Sequence, residues 1–210
     1  MQKKAIIFDL DNTIYSVRTI GEELFASLFE LIMQDGNHSQ EMDKIRNDIM
    51  RRPFQLVAKD YHFSEALTNK GIALLKDLTY DGKIEPFEDY LIVRKLPVDK
   101  FLVTTGFLKL QQSKIEGMKI AGDFKEIHIV DRLTSSTTKK DVFADIIQRH
   151  GYDKSEVLVV GDDLHSEIKA AQELGIEAIL YDRLQLHTDY TSIKRIENFN
   201  ELKWWMVNSE

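Results

Sequence analysis

Apolar residues gather into five short runs along the 210-residue chain: AIIFDL (5–10), KFLVTT (100–105), EIHIVD (126–131), EVLVVGD (156–162) and IEAILYD (176–182). Each is rich in Val, Ile or Leu and lacks the alternation of a half-exposed strand, so each predicts a strand buried on both faces. Helical spacing fills the intervals at 107–119, 138–150 and 164–174. The middle helix carries its own punctuation, with Thr138 as N-cap and Gly151 as C-terminal stop. Strands alternating with helices imply right-handed crossovers and an α/β fold, a doubly wound parallel sheet.

One stretch breaks this alternation. Residues 17–95 hold no strand pattern, only helical ones near 20–34, 39–50, 54–61 and 65–79, punctuated by Gly36 and Pro53, and a short helix at 87–95 leading back. The expected organisation is a Rossmann-like core of residues 1–16 and 88–210, with a smaller all-helical domain of residues 17–87 inserted after the first strand.

Composition narrows the function. With 43% hydrophobic and 30% charged residues, the chain suits a globular protein with a sizeable core. A net charge of -7 argues against nucleic acid and anionic membranes as partners. The absence of cysteine removes disulfides, thiolate metal sites and a cysteine nucleophile. The N-terminal IIF run is too short for a signal peptide or a membrane span, so a cytoplasmic protein is expected. Asn37-His38-Ser39 matches a glycosylation acceptor but reads as a helix-capping turn, and Trp204-Trp205 reads as cover for an apolar edge.

The candidate chemistry falls at the strand ends, where open parallel sheets bind ligands. Asp9 ends the first strand, with Asp11 two residues on. Thr104 and Thr105 end the second, before Gly106. Asp162 and Asp163 end the fourth, with Glu167 one helical turn further, and Lys139-Lys140 open the preceding helix. Taken singly, each fragment is also an ordinary turn or cap. Together, in this order, they form one rim from four distant segments.

The set FDLDNT (8–13), VTTG (103–106), Lys139 and GDDLHSE (161–167) resembles the four motifs of the haloacid dehalogenase-like hydrolase superfamily. The resemblance spans the core, and the helical insertion stands where that superfamily places its smaller cap. It implies Asp9 as nucleophile, Asp11 as general acid and base, Thr104 and Lys139 as phosphoryl-binding groups with Thr105 and Gly106 beside them, and a magnesium ion on Asp9, Asp162 and a carbonyl near Asp11. The third motif lacks the proline common among relatives, leaving Lys139 and Lys140 as alternatives, of which Lys139 is nearer the rim. The fourth ends in Glu167 where Asp is commoner, leaving a share of the ligation open between Glu167 and Asp163. Asp11 also separates this pattern from related ion pumps, and the metal acids separate it from dehalogenases proper.

The chemistry suits these residue types. A phosphate dianion repels a carboxylate nucleophile, so the site must supply positive charge, here from magnesium on oxygen ligands and from lysine. Asp9 can attack in line to give an aspartyl-phosphate, while Asp11 handles the leaving-group and water protons. A cap over the rim favours a small phosphorylated metabolite, and Arg51, Arg52 or Arg18 could read a second anionic group on it. The expected activity is a magnesium-dependent phosphatase. The alternatives are a sugar-phosphate mutase with a similar core, a phospho-accepting signalling receiver, whose acidic pair would come first rather than last, and a silent binding module.

Overall fold

A computed structural model describes residues 2–190 and 192–202 of the chain. Six parallel strands form one sheet in the order β3-β2-β1-β4-β5-β6. They are β1 (Ala5–Phe8), β2 (Asp99–Thr105), β3 (Glu126–Val130), β4 (Val157–Gly161), β5 (Glu177–Tyr181) and β6 (Arg195–Ile196). The order reverses on the two sides of β1, which is the switch point where doubly wound sheets bind ligands. The all-apolar β1 and the β4 run VLVVG are buried at every position, as expected for strands covered on both faces.

Successive residues of β1 serve different cores. Ile6 and Phe8 join the larger cluster, which extends into the helical segment, whereas Ala5 and Ile7 join Val142, Phe143 and Ile146 of α8 (Lys139–His150). This is the period of two expected of a strand between two layers. Helix α8 begins with a capping box in which Thr138 accepts from the Asp141 amide and the Asp141 carboxylate accepts from the Thr138 amide. It ends at Gly151, whose φ of 67° is left-handed. The capped start fixes where Lys139 begins the helix.

Between β1 and β2 the chain is helical: α1 (Gly21–Leu24), α2 (Ala26–Asp35), α3 (Met42–Ile49), α4 (Phe54–Asp60), α5 (Glu65–Leu75) and α6 (Tyr90–Lys95). No residue from 17 to 95 is in a strand. The helix expected at 20–34 is interrupted at Phe25. The Asn37–Ser39 stretch is a turn, with Asn37 donating to Asp35 at 2.8 Å and Ser39 to the Gly36 carbonyl at 3.4 Å. Trp204 and Trp205 lie outside the described residues.

β6, unforeseen in the sequence, pairs Arg195 with Leu180 and Ile196 with Tyr181. The helix expected at 164–174 is a wide π turn, Leu164–Ile168, continued by α9 (Lys169–Leu174). The remaining core helix is α7 (Leu108–Met118).

The loop between β1 and the helices is tied down at Asn12. Its φ of 57° is left-handed, a conformation that asparagine tolerates better than most residues. Its buried amide accepts from the Val17 N–H at 3.1 Å and donates to the Met50 carbonyl at 3.3 Å, tying the helical segment to the motif loop. Asn12→Ala removes both bonds and strands a buried N–H and a carbonyl, which should cost about 2–3 kcal/mol by urea denaturation. A loss under ~0.5 kcal/mol would show that the two bonds do not hold this junction.

Candidate active site

The Asp9 amide donates to the Val160 carbonyl at 3.0 Å, so the strand pairing with β4 continues one residue past β1 and carries the Asp9 side chain to the sheet rim. Leu10 then accepts from the amides of Thr13 and Ile14, closing a turn that brings Asp11 opposite Tyr15. A pocket opens over these strand ends. Its lining includes Asp9, Asp11, Thr104–Gly106, Lys139, Asp162, Asp163 and Glu167, and the Arg51–Pro53 stretch between α3 and α4.

Lys139 is the central cation. It is buried, and its Nζ donates to Asp9 Oδ1 at 2.6 Å and to Glu167 Oε2 at 2.8 Å. Lys140, one residue on, faces away and pairs with Glu173 at the exposed surface. The capping box thus resolves the two adjacent lysines: the first residue of the helix points to the rim, and the second lies about 100° round the helix.

Carboxylate oxygens of Asp9, Asp162 and Glu167 lie within 4.8 Å of one another. Glu167 is turned inward by the π turn, and its Oε1 accepts the Asp163 amide at 2.7 Å. Gly161 makes room for it, because a Cβ there would overlap the Glu167 side chain. Asp163 is not part of this trio; its carboxylate instead caps the turn by accepting the His165 amide at 2.8 Å. Asp162 makes no hydrogen bond or ion pair among the described residues. Burial and the neighbouring charges of Glu167, Asp9 and Asp163 push its carboxyl well above the ordinary range. Burial likewise raises Asp9 to about 7, with Lys139 opposing and Glu167 adding to the shift. Three clustered oxygen donors, one of them without a partner, fit a hard divalent cation such as magnesium.

Asp11 stands apart from the trio. Lys114 Nζ donates to its two oxygens at 2.8 and 3.1 Å, Tyr15 Oη to Oδ1 at 2.6 Å, and Gln111 Nε2 to Oδ2 at 2.9 Å. Burial acts to raise this carboxyl, but Lys114, Tyr15 and Gln111 outweigh it and hold Asp11 below its ordinary value. Gln111 also donates to the Thr104 hydroxyl at 2.6 Å, linking two motif residues through one amide. Thr105 pairs with Val130 in the sheet, and the Gly106 amide donates to the Val130 carbonyl at 3.2 Å.

Lys114 and Gln111 escaped the sequence reading. Both are buried on α7, three residues apart on the face that covers Asp11. The available signal was a lysine and a glutamine at core-facing positions of an amphipathic helix. Of the arginines, Arg51 and Arg52 line the pocket; Arg52 is engaged by Asp60 and Asp48, Arg51 has His187 as its one side-chain partner among the described residues, and Arg18 is exposed outside the pocket lining.

A family model described as haloacid dehalogenase-like hydrolase matches residues 6–181. A curated relative, glyceraldehyde 3-phosphate phosphatase of Methanopyrus kandleri, is 23% identical over 196 residues, covering 84% of this chain and 82% of the relative. A haloacid dehalogenase-like family hydrolase of Streptococcus pneumoniae has a similar structure, with a TM-score of 0.73 at 16% identity over 97% of this chain and 98% of its own. A HAD-hydrolase of Bacillus subtilis bound to magnesium aligns with a TM-score of 0.60 at 16% identity, over 99% of this chain and 100% of its own.

The Asp11–Lys114 pair can be tested without an activity. Lys114 is 3% exposed and Asp11 26%, so Lys114→Met should destabilise by about 1–3 kcal/mol, below the cost of breaking a fully buried pair. A carboxyl lowered in the fold stabilises above its ordinary value of 3.8 and loses that contribution as pH falls through its folded value. The gap between wild type and variant should therefore be widest near neutrality and close in acid. A gap independent of pH would mean that the pair is electrostatically silent.

Proposed function

The chain belongs to the haloacid dehalogenase-like hydrolase family, and from that membership and the rim geometry we propose that it is a magnesium-dependent phosphatase of small phosphate monoesters. The observation that carries this reading is the Asp9–Lys139–Glu167 cluster beside the unpartnered Asp162 carboxylate. Phosphatase and small-metabolite chemistry are supported by the curated relative's name, and the metal by the magnesium-bound neighbour. Residues 17–87 act as the cap, residues 1–16 and 88–210 as the catalytic core, and the protein works in the cytoplasm. No helix among the described residues is long and apolar enough to cross a membrane.

In this reading Asp9, Asp162 and Glu167 would hold the ion, and the backbone near Asp11 would offer a further oxygen donor. Bound magnesium supplies positive charge that offsets repulsion between the phosphate dianion and the attacking carboxylate. Lys139 steadies a phosphoryl oxygen, and the Thr104 hydroxyl donates to another. Asp9 attacks phosphorus, the phosphorus–oxygen bond to the leaving group breaks, and an aspartyl-phosphate forms. Asp11 delivers a proton to the leaving oxygen and then takes one from the water that releases phosphate. Asp163, as cap of the π turn, holds Glu167 in place through its own amide.

Two measurements test this. Asp11→Asn given an aryl phosphate, whose leaving group needs no proton, should accumulate an adduct of one phosphoryl group on Asp9, visible by acid quench and peptide mapping. Hydrolysis of alkyl phosphates by Asp11→Asn at the wild-type rate, or an adduct elsewhere, would overturn the assigned roles.

The second concerns the ion. Asp9, raised to about 7, and Asp162, raised as well, must both lose protons to ligate a cation. The rise in Tm on adding magnesium should thus be larger at pH 8 than at pH 6. A Tm that magnesium leaves unmoved at both would remove the metal from this site.

A further inference from the structure

We propose that Arg51 and Arg132 form a second anion-binding subsite in the active-site pocket, so that the preferred substrate is a phosphate monoester whose carbon body carries another anionic group, a carboxylate or a second phosphate. This rests on the phosphatase reading for the identity of the first anion, and it goes beyond that reading by naming what the rest of the substrate must carry.

Nine arginines are present. Arg46, Arg52, Arg94, Arg149, Arg183 and Arg195 each pair with at least one carboxylate. The other three, Arg18, Arg51 and Arg132, have no carboxylate partner among the described residues. Two of those three, Arg51 and Arg132, line the same pocket as Asp9 and Lys139. They come from separate parts of the chain, Arg51 from the end of α3 and Arg132 from the turn after β3.

Both are set in place without being neutralised. Arg51 Nη2 lies 3.4 Å from His187 Nε2, so a ring nitrogen rather than a carboxylate is its neighbour. Arg132 follows Asp131, whose carboxylate is already occupied by the amides of Leu108 and Leu133. That turn holds the backbone at Arg132, whose side chain is exposed and has no carboxylate partner among the described residues. The neighbouring Arg52 shows the contrast: it lines the same pocket, yet Asp48 and Asp60 already claim it. Lys114 and Lys139 are likewise claimed, by Asp11 and by Asp9 with Glu167.

The free cations thus share one pocket with the phosphoryl-binding groups, and apolar side chains such as Phe25, Phe54 and Leu110 line the same space. A guanidinium presents paired N–H donors that match a carboxylate or phosphate fork, and a site built to pair with an anion discriminates against an analogue lacking it. A short organic body carrying an anion at each end suits a pocket with both kinds of lining.

Matched phosphonates test this without turnover. Calorimetric titration with magnesium present compares propylphosphonate with 3-phosphonopropionate and with propane-1,3-bisphosphonate. One or both of the ligands carrying a second anionic group should bind at least ~10-fold more tightly than propylphosphonate; whichever is preferred identifies that group as carboxylate or phosphate. Arg51→Gln and Arg132→Gln should each reduce that preference at least threefold, and the double variant should erase it, while propylphosphonate affinity stays within about threefold as the control for an intact site. Arg→Lys replacements should keep part of the preference. Equal binding of all three ligands by wild type, or a preference that survives in the double variant, overturns the subsite. Failure of the phosphatase reading would instead show as no magnesium-dependent release of phosphate from an aryl phosphate, whatever the phosphonates do.

Discussion

A buried lysine ammonium between two carboxylates is the contact around which the rim is organised. Asp9 at the end of β1, Glu167 in the turn after β4 and the partnerless Asp162 bring three acids within a few ångströms of one another. Without Lys139 they would repel each other in a poorly hydrated space, and an isolated buried charge there costs several kcal/mol. The ammonium reaches them because α8 starts at a fixed residue. A capping box sets that start, and the buried face of Val142, Phe143 and Ile146 packs the helix onto the sheet. Burial of apolar side chains in β1, β4 and α8 thus supplies the rigidity with which an unfavourable group of charges is held.

The same constraint explains the irregular features nearby. A regular α-helix after β4 would by itself satisfy the backbone hydrogen bonds. The wide π turn at Leu164–Ile168 directs Glu167 inward, and the missing side chain at Gly161 gives it room. Asp163 holds the turn from outside by capping the His165 amide, and its own amide binds Glu167. Each local departure from regular structure places or supports one carboxylate.

Much of this was legible in the chain because buried parallel strands leave continuous apolar runs and their ends are marked by polar residues. The five runs correspond to β1–β5, and Thr138 and Gly151 delimit α8 in the structure. β6 was invisible for a physical reason: its two residues, Arg195 and Ile196, are too few to show a period. The π turn was hidden because Leu164, Ile168 and the residues that follow keep a helical spacing while the backbone widens. Lys114 and Gln111 were missed because a core-facing polar residue on a helix declares itself only through its partner, here Asp11, about a hundred residues away. Arg51 and Arg52 look identical in sequence. Only Asp48 and Asp60, brought beside Arg52, separate an engaged guanidinium from a free one.

The two motif aspartates are displaced in opposite directions, and the sense of the displacement carries information about how ligands must act. Burial drives Asp9 up to about 7, whereas Lys114 and its companions hold Asp11 ionised. In the roles proposed for them, Asp9 as nucleophile would need the charge it holds weakly, and Asp11 as general acid would need the proton it has given up. In the proposed reaction both defects are corrected by what binds. A cation beside Asp9, Asp162 and Glu167 favours their ionised forms, because opposite charge at short range outweighs desolvation. A phosphate dianion arriving beside Asp11 adds negative charge and competes for the polar groups around it, which raises its carboxyl and brings the proton to the leaving oxygen. In that proposed reaction the cation and the substrate would each reverse the displacement of one aspartate.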